Sequence, residues 1–327
     1  MTVLLGTDEL QQLLTPEVAI RALRQGFVAA LSAQASPQRV RQSLPSSPGS
    51  IAVLLPGLLT GIPAYTVKVN AKFPDADPAI SGVVCLHDLR TGKLLALLDS
   101  AFITAWRTGL SAALATDLLS AAGTHTVGII GAGAQADMTL RGLTQLRTVK
   151  RVVIHDVADE QAHRMAEIWQ QSGLECQVVG SAREVARNCD SIVTATWSRH
   201  PLLHLSDFRP GSHVTSLGAD EPGKAELDAQ LLRHARVIVD DLDLAMTSGA
   251  LGTAGLRRGD AAAVLGQIIE GTVPARTDAE QVTVYTPVGL PWQDLALCWA
   301  AYQTAAHHGV GVDFQFHHPH PKGEGSE

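Results

Sequence analysis

The chain has 327 residues, 46% of them hydrophobic in type, which is enough material for two cores and too much for one small domain. Its net charge of −7 comes without a basic block and with only 4% aromatic residues, so an extended nucleic-acid surface is excluded and small-molecule partners are favoured. Asp99, Arg107 and Asp117 interrupt the longest apolar neighbourhoods, so no membrane span is expected, and the first residues lack the basic-then-apolar pattern of a secretory signal.

Thr7-Asp-Glu-Leu opens a short helix, and Thr15 with Pro16 supplies the cap and first position of a second helix running to about Gln34. Strands follow. Ile51 to Leu55 is apolar, Ala64 to Asn70 alternates with period two, and Gly82–Asp88 and Lys93–Asp99 flank the turn Leu89-Arg-Thr-Gly92 as a hairpin. The alternation puts Lys68 on one face with Thr66 and Asn70. A long helix is expected from Ile103 to about Ala122, and Arg107 lies in its apolar first turns, where a guanidinium needs a partner. Taken singly, Arg39, Arg41, Lys68 and Arg107 read as ordinary surface charges; together they describe a site for a small carboxylic acid.

Next, an apolar strand enters Gly131-Ala-Gly133-Ala134-Gln135-Ala136 and a helix follows. Gly131 permits the tight turn, Gly133 lets the backbone approach a pyrophosphate, Ala136 is small enough for helix and strand to pack, and the helix N-terminus favours an anion. A second strand, Val152–Asp156, ends in an acid whose carboxylate suits ribose hydroxyls and repels a 2′-phosphate, so NAD is expected over NADP. The alternative is an ordinary strand-to-helix turn whose glycines are only steric.

Further strands are expected at Cys176–Val179, Ser191–Thr196, His213–Ser216 and Val237–Asp240, alternating with helices, which implies a parallel sheet covered on both faces. Near Val282 the chain is expected to leave this unit, and the helix from Trp292 to about His308 returns to the first region. The fold class is therefore α/β: a Rossmann-type dinucleotide-binding domain, residues 118–286, inserted into a smaller α+β substrate and dimerisation domain made of 1–117 and 287–327. After the His213 strand, at the sheet edge where ligands of such sheets bind, Asp220 suits an acid/base role at an amine and Lys224 an orienting one. The other reading is a polar loop in which Asp220 caps a helix. The four cysteines are scattered and read as reduced thiols of a cytoplasmic protein; His317, His318 and His320 offer metal ligands, but their Pro/Gly-rich tail reads as a solvated end, and no metal site is expected.

The motifs resemble the ornithine cyclodeaminase and mu-crystallin family over nearly the whole chain. They are Val40-Arg41 before the turn at Pro56, Lys68-Val-Asn70, Asp88-Leu-Arg-Thr-Gly92 with Leu98-Asp99, and Ile103-Thr-Ala-Trp-Arg107. The glycine loop, Gly218-Ala-Asp220-Glu-Pro-Gly-Lys224-Ala-Glu-Leu and Val288-Gly-Leu-Pro-Trp-Gln-Asp294 complete the set. The resemblance implies that Arg41, Lys68 and Arg107 hold a substrate carboxylate, that Asp220 is the catalytic acid/base, and that Val288 lines the substrate pocket. It places Gly131, Gly133, Ala134, Gln135, Asp156, Thr196 and Lys224 at the dinucleotide, and it implies a homodimer paired through the first domains' sheets. The implied chemistry is hydride transfer at the α-carbon of a small L-amino acid or its cyclic imine, by cyclodeamination, ketimine reduction or oxidative deamination. Two positions distinguish this chain. Members that cyclise ornithine carry a Glu where Val53 stands, and the crystallin-like branch lacks the Asp found here at 220, which argues for chemistry rather than binding alone.

Overall fold

The computed structural model describes residues 1–32, 39–45, 50–73, 76 and 79–316, so the tail histidines fall outside the described residues. β1 (Thr2–Leu5) precedes α1 (Thr7–Leu13) and α2 (Pro16–Ala30). The hydroxyl of Thr15 accepts from the Val18 amide at 3.3 Å and caps α2, which ends at Ala30 rather than near Gln34. β2 (Val40–Ser43), β3 (Ile51–Gly57), β4 (Ala64–Lys72), β5 (Ile80–Asp88) and β6 (Leu94–Asp99) then form an antiparallel meander. In β4 the alternation is inverted from the usual sense: polar Thr66, Lys68 and Asn70 are buried while Val69 is exposed. The Asp99 carboxylate accepts from the Ala101 amide at 2.8 Å, so α3 (Ser100–Leu119) starts before the expected Ile103.

Strand and helix then alternate through β7 (Thr126–Ile130), α4 (Ala134–Leu146), β8 (Arg151–His155), α5 (Asp159–Gln171), β9 (Glu175–Val178), α6 (Ala182–Asn188), β10 (Ser191–Thr194) and β11 (His213–Ser216). The second half contains α7 (Ala229–His234), β12 (Arg236–Val239), α8 (Leu242–Thr247), α9 (Ala250–Thr253), β13 (Ala261–Val264), α10 (Leu265–Glu270) and β14 (Thr283–Tyr285). All eight strands are parallel, in the order β13-β12-β14-β11-β10-β7-β8-β9. Strands sandwiched between two helix layers are buried on both faces, which is why they read as continuous apolar runs. β14 is an additional strand not anticipated above: Thr283–Tyr285 inserts between β11 and β12, and the chain departs from the sheet after Tyr285.

α11 (Pro291–His308) and β15 (Val312–Phe314) return to the first sheet, whose order is β15-β1-β6-β5-β4-β3-β2, with β1 parallel to β6. Trp292 of α11 meets Phe27 of α2 edge-to-face at 5.0 Å, filling the core between them. α3 joins the two sheets. Its Thr116 hydroxyl lies 2.7 Å from that of Thr215 in β11, while Ile103 and Leu110 share one apolar cluster with Ile238 and Tyr285 of the parallel sheet. The boundary expected at residue 117 falls inside the last turn of this helix. The parallel sheet reverses its winding between β7 and β10, and a crevice at that edge faces the first sheet.

Candidate active site

A cavity of about 590 Å³ lies in this crevice, with walls from both sheets. On one side it is bounded by Gly133, Ala134 and Gln135, where β7 turns into α4. Gly131 has φ +90°, and a Cβ there would sit 2.6 Å from the Ala195 carbonyl, so only glycine fits the turn. A Cβ at Gly133 would meet no protein atom within 4 Å, which leaves open space against the loop. α4 begins at Gly133 with no side chain capping its first amides, so those N–H groups are available to a ligand anion. The Asp156 carboxylate accepts from the amides of Ala132, at 2.7 Å, and Ala158, at 2.8 Å, tying the glycine loop to the end of β8. Open space at Gly133, uncapped amides and a carboxylate fixed on the loop at the end of β8 fit a dinucleotide.

The loop after β10 is organised by a residue that sequence reasoning passed over. Glu226 is fully buried and accepts from the Thr194 hydroxyl, the Thr196 amide and hydroxyl, the Ser216 hydroxyl and the Gly218 amide, at 2.6–2.8 Å. Five donors satisfy this carboxylate without a cation and lock together the ends of β10 and β11. Thr196 and Gly218 thereby become fixed points of the cavity wall.

Asp220 stands beyond Gly218 and lines the cavity. Its carboxylate accepts from Lys224 Nζ at 3.0 Å and from Lys72 Nζ at 3.2 Å. Burial would raise this carboxyl, but the charges of Lys72 and Lys224, the Lys224 hydrogen bond and nearby Arg39 outweigh it and hold it at about 2. Lys72 is pushed downward by burial against the pull of Asp220. Both ammonium groups lie over the ring of Trp197, at 4.4 Å for Lys224 and 5.7 Å for Lys72.

The opposite end is cationic. Arg107, on α3, donates from Nη1 to the Gln293 side-chain oxygen at 3.4 Å, and its Nε lies 3.7 Å from the Asp294 carboxylate. Lys68 Nζ is 2.8 Å from the same carboxylate and also donates to the Thr104 hydroxyl. Desolvation lowers Lys68 to about 8 even with Asp294 beside it. Val288 and Gly289 close this end, their amides donating to Asp240 at 3.1 and 2.6 Å. Arg39 reaches the carbonyls of Asp220, Val288 and Gly289 at 3.3–3.4 Å.

Of the residues singled out in the sequence, the cavity wall brings together Asp220, Arg107, Val288, Gly133, Ala134, Gln135, Thr196 and Lys224. Gly131 and Asp156 are not on the wall: Gly131 makes the turn of the glycine loop, and Asp156 ties that loop to the end of β8. Arg41 and Lys68 are not on the wall, because Glu221 claims the first and Asp294 the second. Val53 is buried on the site-facing side of β3, opposite Asn70, and does not line the cavity either. Among the described residues no group of three potential metal ligands converges, and no helix is long and apolar enough to cross a membrane. Lys72, Asp240, Asp294, Glu226 and Trp197 were not assigned roles from sequence. Period-two alternation, which places Lys72 on the same face as Lys68, was the available signal for that residue.

The sequence profile of the ornithine cyclodeaminase/mu-crystallin family matches residues 3–309. The chain belongs to this family. It is 29% identical to an alanine dehydrogenase of Archaeoglobus fulgidus over 322 residues, 96% of this chain and 98% of the relative. An archaeal alanine dehydrogenase dimer with bound NAD superposes with a TM-score of 0.90 at 27% identity, covering 97% of this chain and 99% of that one. The Delta(1)-pyrroline-2-carboxylate reductase of Thermococcus litoralis, in complex with NADH and L-proline, gives the same TM-score and identity over 96% and 100% of the two chains. The family's α/β fold, with its Rossmann-type parallel sheet, is the fold described above.

Proposed function

We propose that this protein is an NAD(H)-dependent oxidoreductase acting at the α-carbon of a small α-amino acid or its imine. The observation that carries the reading is one cavity whose walls hold a dinucleotide-type glycine loop, an ionised Asp220 and the Arg107 guanidinium. A bound nicotinamide supplies the hydride acceptor or donor. Gly133, Ala134 and Gln135 hold the dinucleotide, with Asp156 setting its class as NAD rather than NADP. Arg107 pairs with the α-carboxylate, and Lys68 acts through Asp294 and Thr104 to hold that end in place. Asp220 faces the substrate nitrogen: in the oxidative direction the ammonium gives one proton to this carboxylate as the Cα–H departs as hydride, leaving a protonated imine. In the reductive direction the same carboxylate is the counter-ion of that imine.

Imine reduction and oxidative deamination share this constellation, and both are preferred here to cyclodeamination of ornithine. An ammonium at the far end of the substrate would need an anion of its own, and among the described residues the cavity wall carries no carboxylate besides Asp220. A purely binding, crystallin-like role is disfavoured because Asp220 is present and ionised. Residues 1–117 with 287–327 are proposed as the substrate-binding and dimerisation unit and 118–286 as the dinucleotide unit. A homodimer is supported by the exposed apolar outer face of the first sheet, where Val40, Leu54 and Val69 are cross-strand neighbours. A monomer by light scattering would contradict that part.

A substrate panel tests the activity. Two-oxo acids with ammonia, and preformed cyclic imines, are offered with NADH, and absorbance of the reduced nicotinamide is followed. NADH consumption supports the reading, whereas ammonia release from ornithine without net NADH change would return the chain to the cyclodeaminase branch.

A further inference from the structure

Resting on the function just proposed, we infer that the substrate carries a second carboxylate and that Lys72 recognises it. Arg107 suffices for the α-carboxylate and Asp220 for the nitrogen, yet a third charged group, Lys72, also projects into the cavity. Among the described residues, the charged side chains on the cavity wall itself are Arg107, Lys72, Lys224 and Asp220, so Lys72 is a cation with access to a ligand beyond the pair already assigned to the α-carboxylate and the nitrogen.

Position supports the assignment. Lys68 and Lys72 share a face of β4, separated along the strand by about 13 Å at the usual rise per residue. Lys68 therefore marks the α-carboxylate end and Lys72 the nitrogen end, its Nζ 3.2 Å from Asp220. A carboxylate one or two carbons from Cα falls within reach of an ammonium so placed. Lys72 is held by its 3.2 Å ion pair with Asp220, while its other neighbours restrain it only loosely: Glu221 lies 3.6 Å away and is shared with Lys224 and Arg41, and the Trp197 ring lies 5.7 Å away. The exchange also has a chemical consequence. Asp220 is held at about 2 chiefly by Lys72 and Lys224 acting against its burial, so drawing Lys72 onto a substrate carboxylate makes Asp220 a stronger proton acceptor only when the right substrate is bound.

The test compares a dicarboxylic two-oxo acid, oxaloacetate, with a monocarboxylic one, pyruvate, each with ammonia and NADH. It is run on the parent protein, Lys72→Met and Lys72→Arg. The parent should favour the dicarboxylic acid in kcat/KM. Lys72→Met should lower the dicarboxylic-to-monocarboxylic ratio at least about tenfold, the scale of one charge-assisted contact, and Lys72→Arg should restore most of it. A second readout needs no turnover: calorimetric titration of the NADH-loaded protein should show L-aspartate binding more tightly than L-alanine, with the difference lost in Lys72→Met. Turnover of pyruvate alone, or an unchanged ratio in Lys72→Met, overturns the inference and leaves the proposed function standing. Turnover of no two-oxo acid or imine overturns both.

Discussion

A Cβ on residue 289 would lie 2.2 Å from Nη1 of Arg107. The guanidinium is therefore held against a backbone position where any side chain would displace it. Residue 289 also has φ +92°, a conformation that disfavours other residues, and its amide is anchored on Asp240 at 2.6 Å. Gly289→Ala should move the end of Arg107, a flexible side chain, rather than break the fold. KM for the carboxylic substrate should rise about tenfold or more, with a stability loss of about 1–2 kcal/mol from backbone strain. Unchanged KM would place Arg107 outside substrate binding.

Asp156 governs the choice of cofactor in this account. Its two oxygens are fixed by the Ala132 and Ala158 amides, so the charge cannot swing away from an incoming 2′-phosphate. NADH should bind at least about tenfold more tightly than NADPH, an electrostatic penalty of the order expected for close like charges. Asp156→Asn, which keeps an oxygen acceptor for the loop, should narrow that gap. Nicotinamide fluorescence titrations measure both, and tighter NADPH binding by the parent protein would refute the assignment.

His213 predicts an acid limb in stability. It is fully buried between the hydroxyls of Thr283 and Thr215, each 2.9 Å from a ring nitrogen, and burial together with the charges of Arg276 and Arg147 lowers it to about 3. The folded ring stays neutral, whereas the unfolded one gains a proton near pH 6.5, so stability falls as pH drops through that value toward 3. Between pH 7.5 and 5 this amounts to about 2 kcal/mol. Asp220, held at about 2, contributes its own loss only below the ordinary carboxylate range, outside this window. Urea unfolding at the two pH values should show the loss in the parent and a smaller one in His213→Gln, which keeps a donor and an acceptor. Equal pH dependence in both would rule out His213 as its source.

The parallel sheet was legible because strands covered on both faces must be apolar throughout, and the glycine loop because its steric demands leave few choices of residue. β14 was not recognised as a central strand: Thr283–Tyr285 is three residues long, too short for any periodicity, and its place between β11 and β12 is set entirely by tertiary pairing. Arg107 and Asp220 could be singled out from their surroundings in sequence. The different positions of Arg41 and Lys68 could not, because the carboxylates that hold them, Glu221 and Asp294, are 180 and 226 residues away. Asp240 stands at the end of a parallel strand, the edge where ligands gather, yet only the structure reveals that it holds the turn against Arg107.

The central claim is that the Asp220 carboxylate works on the substrate nitrogen rather than serving as a loop residue. The most direct measurement is the turnover number of Asp220→Asn in NADH-dependent imine reduction, taken together with its affinity for NADH. Turnover should fall about 10²–10⁴-fold, the range for a lost general acid/base, while NADH binds as it does to the parent. Undiminished turnover, or loss of NADH binding in a folded protein, would contradict it.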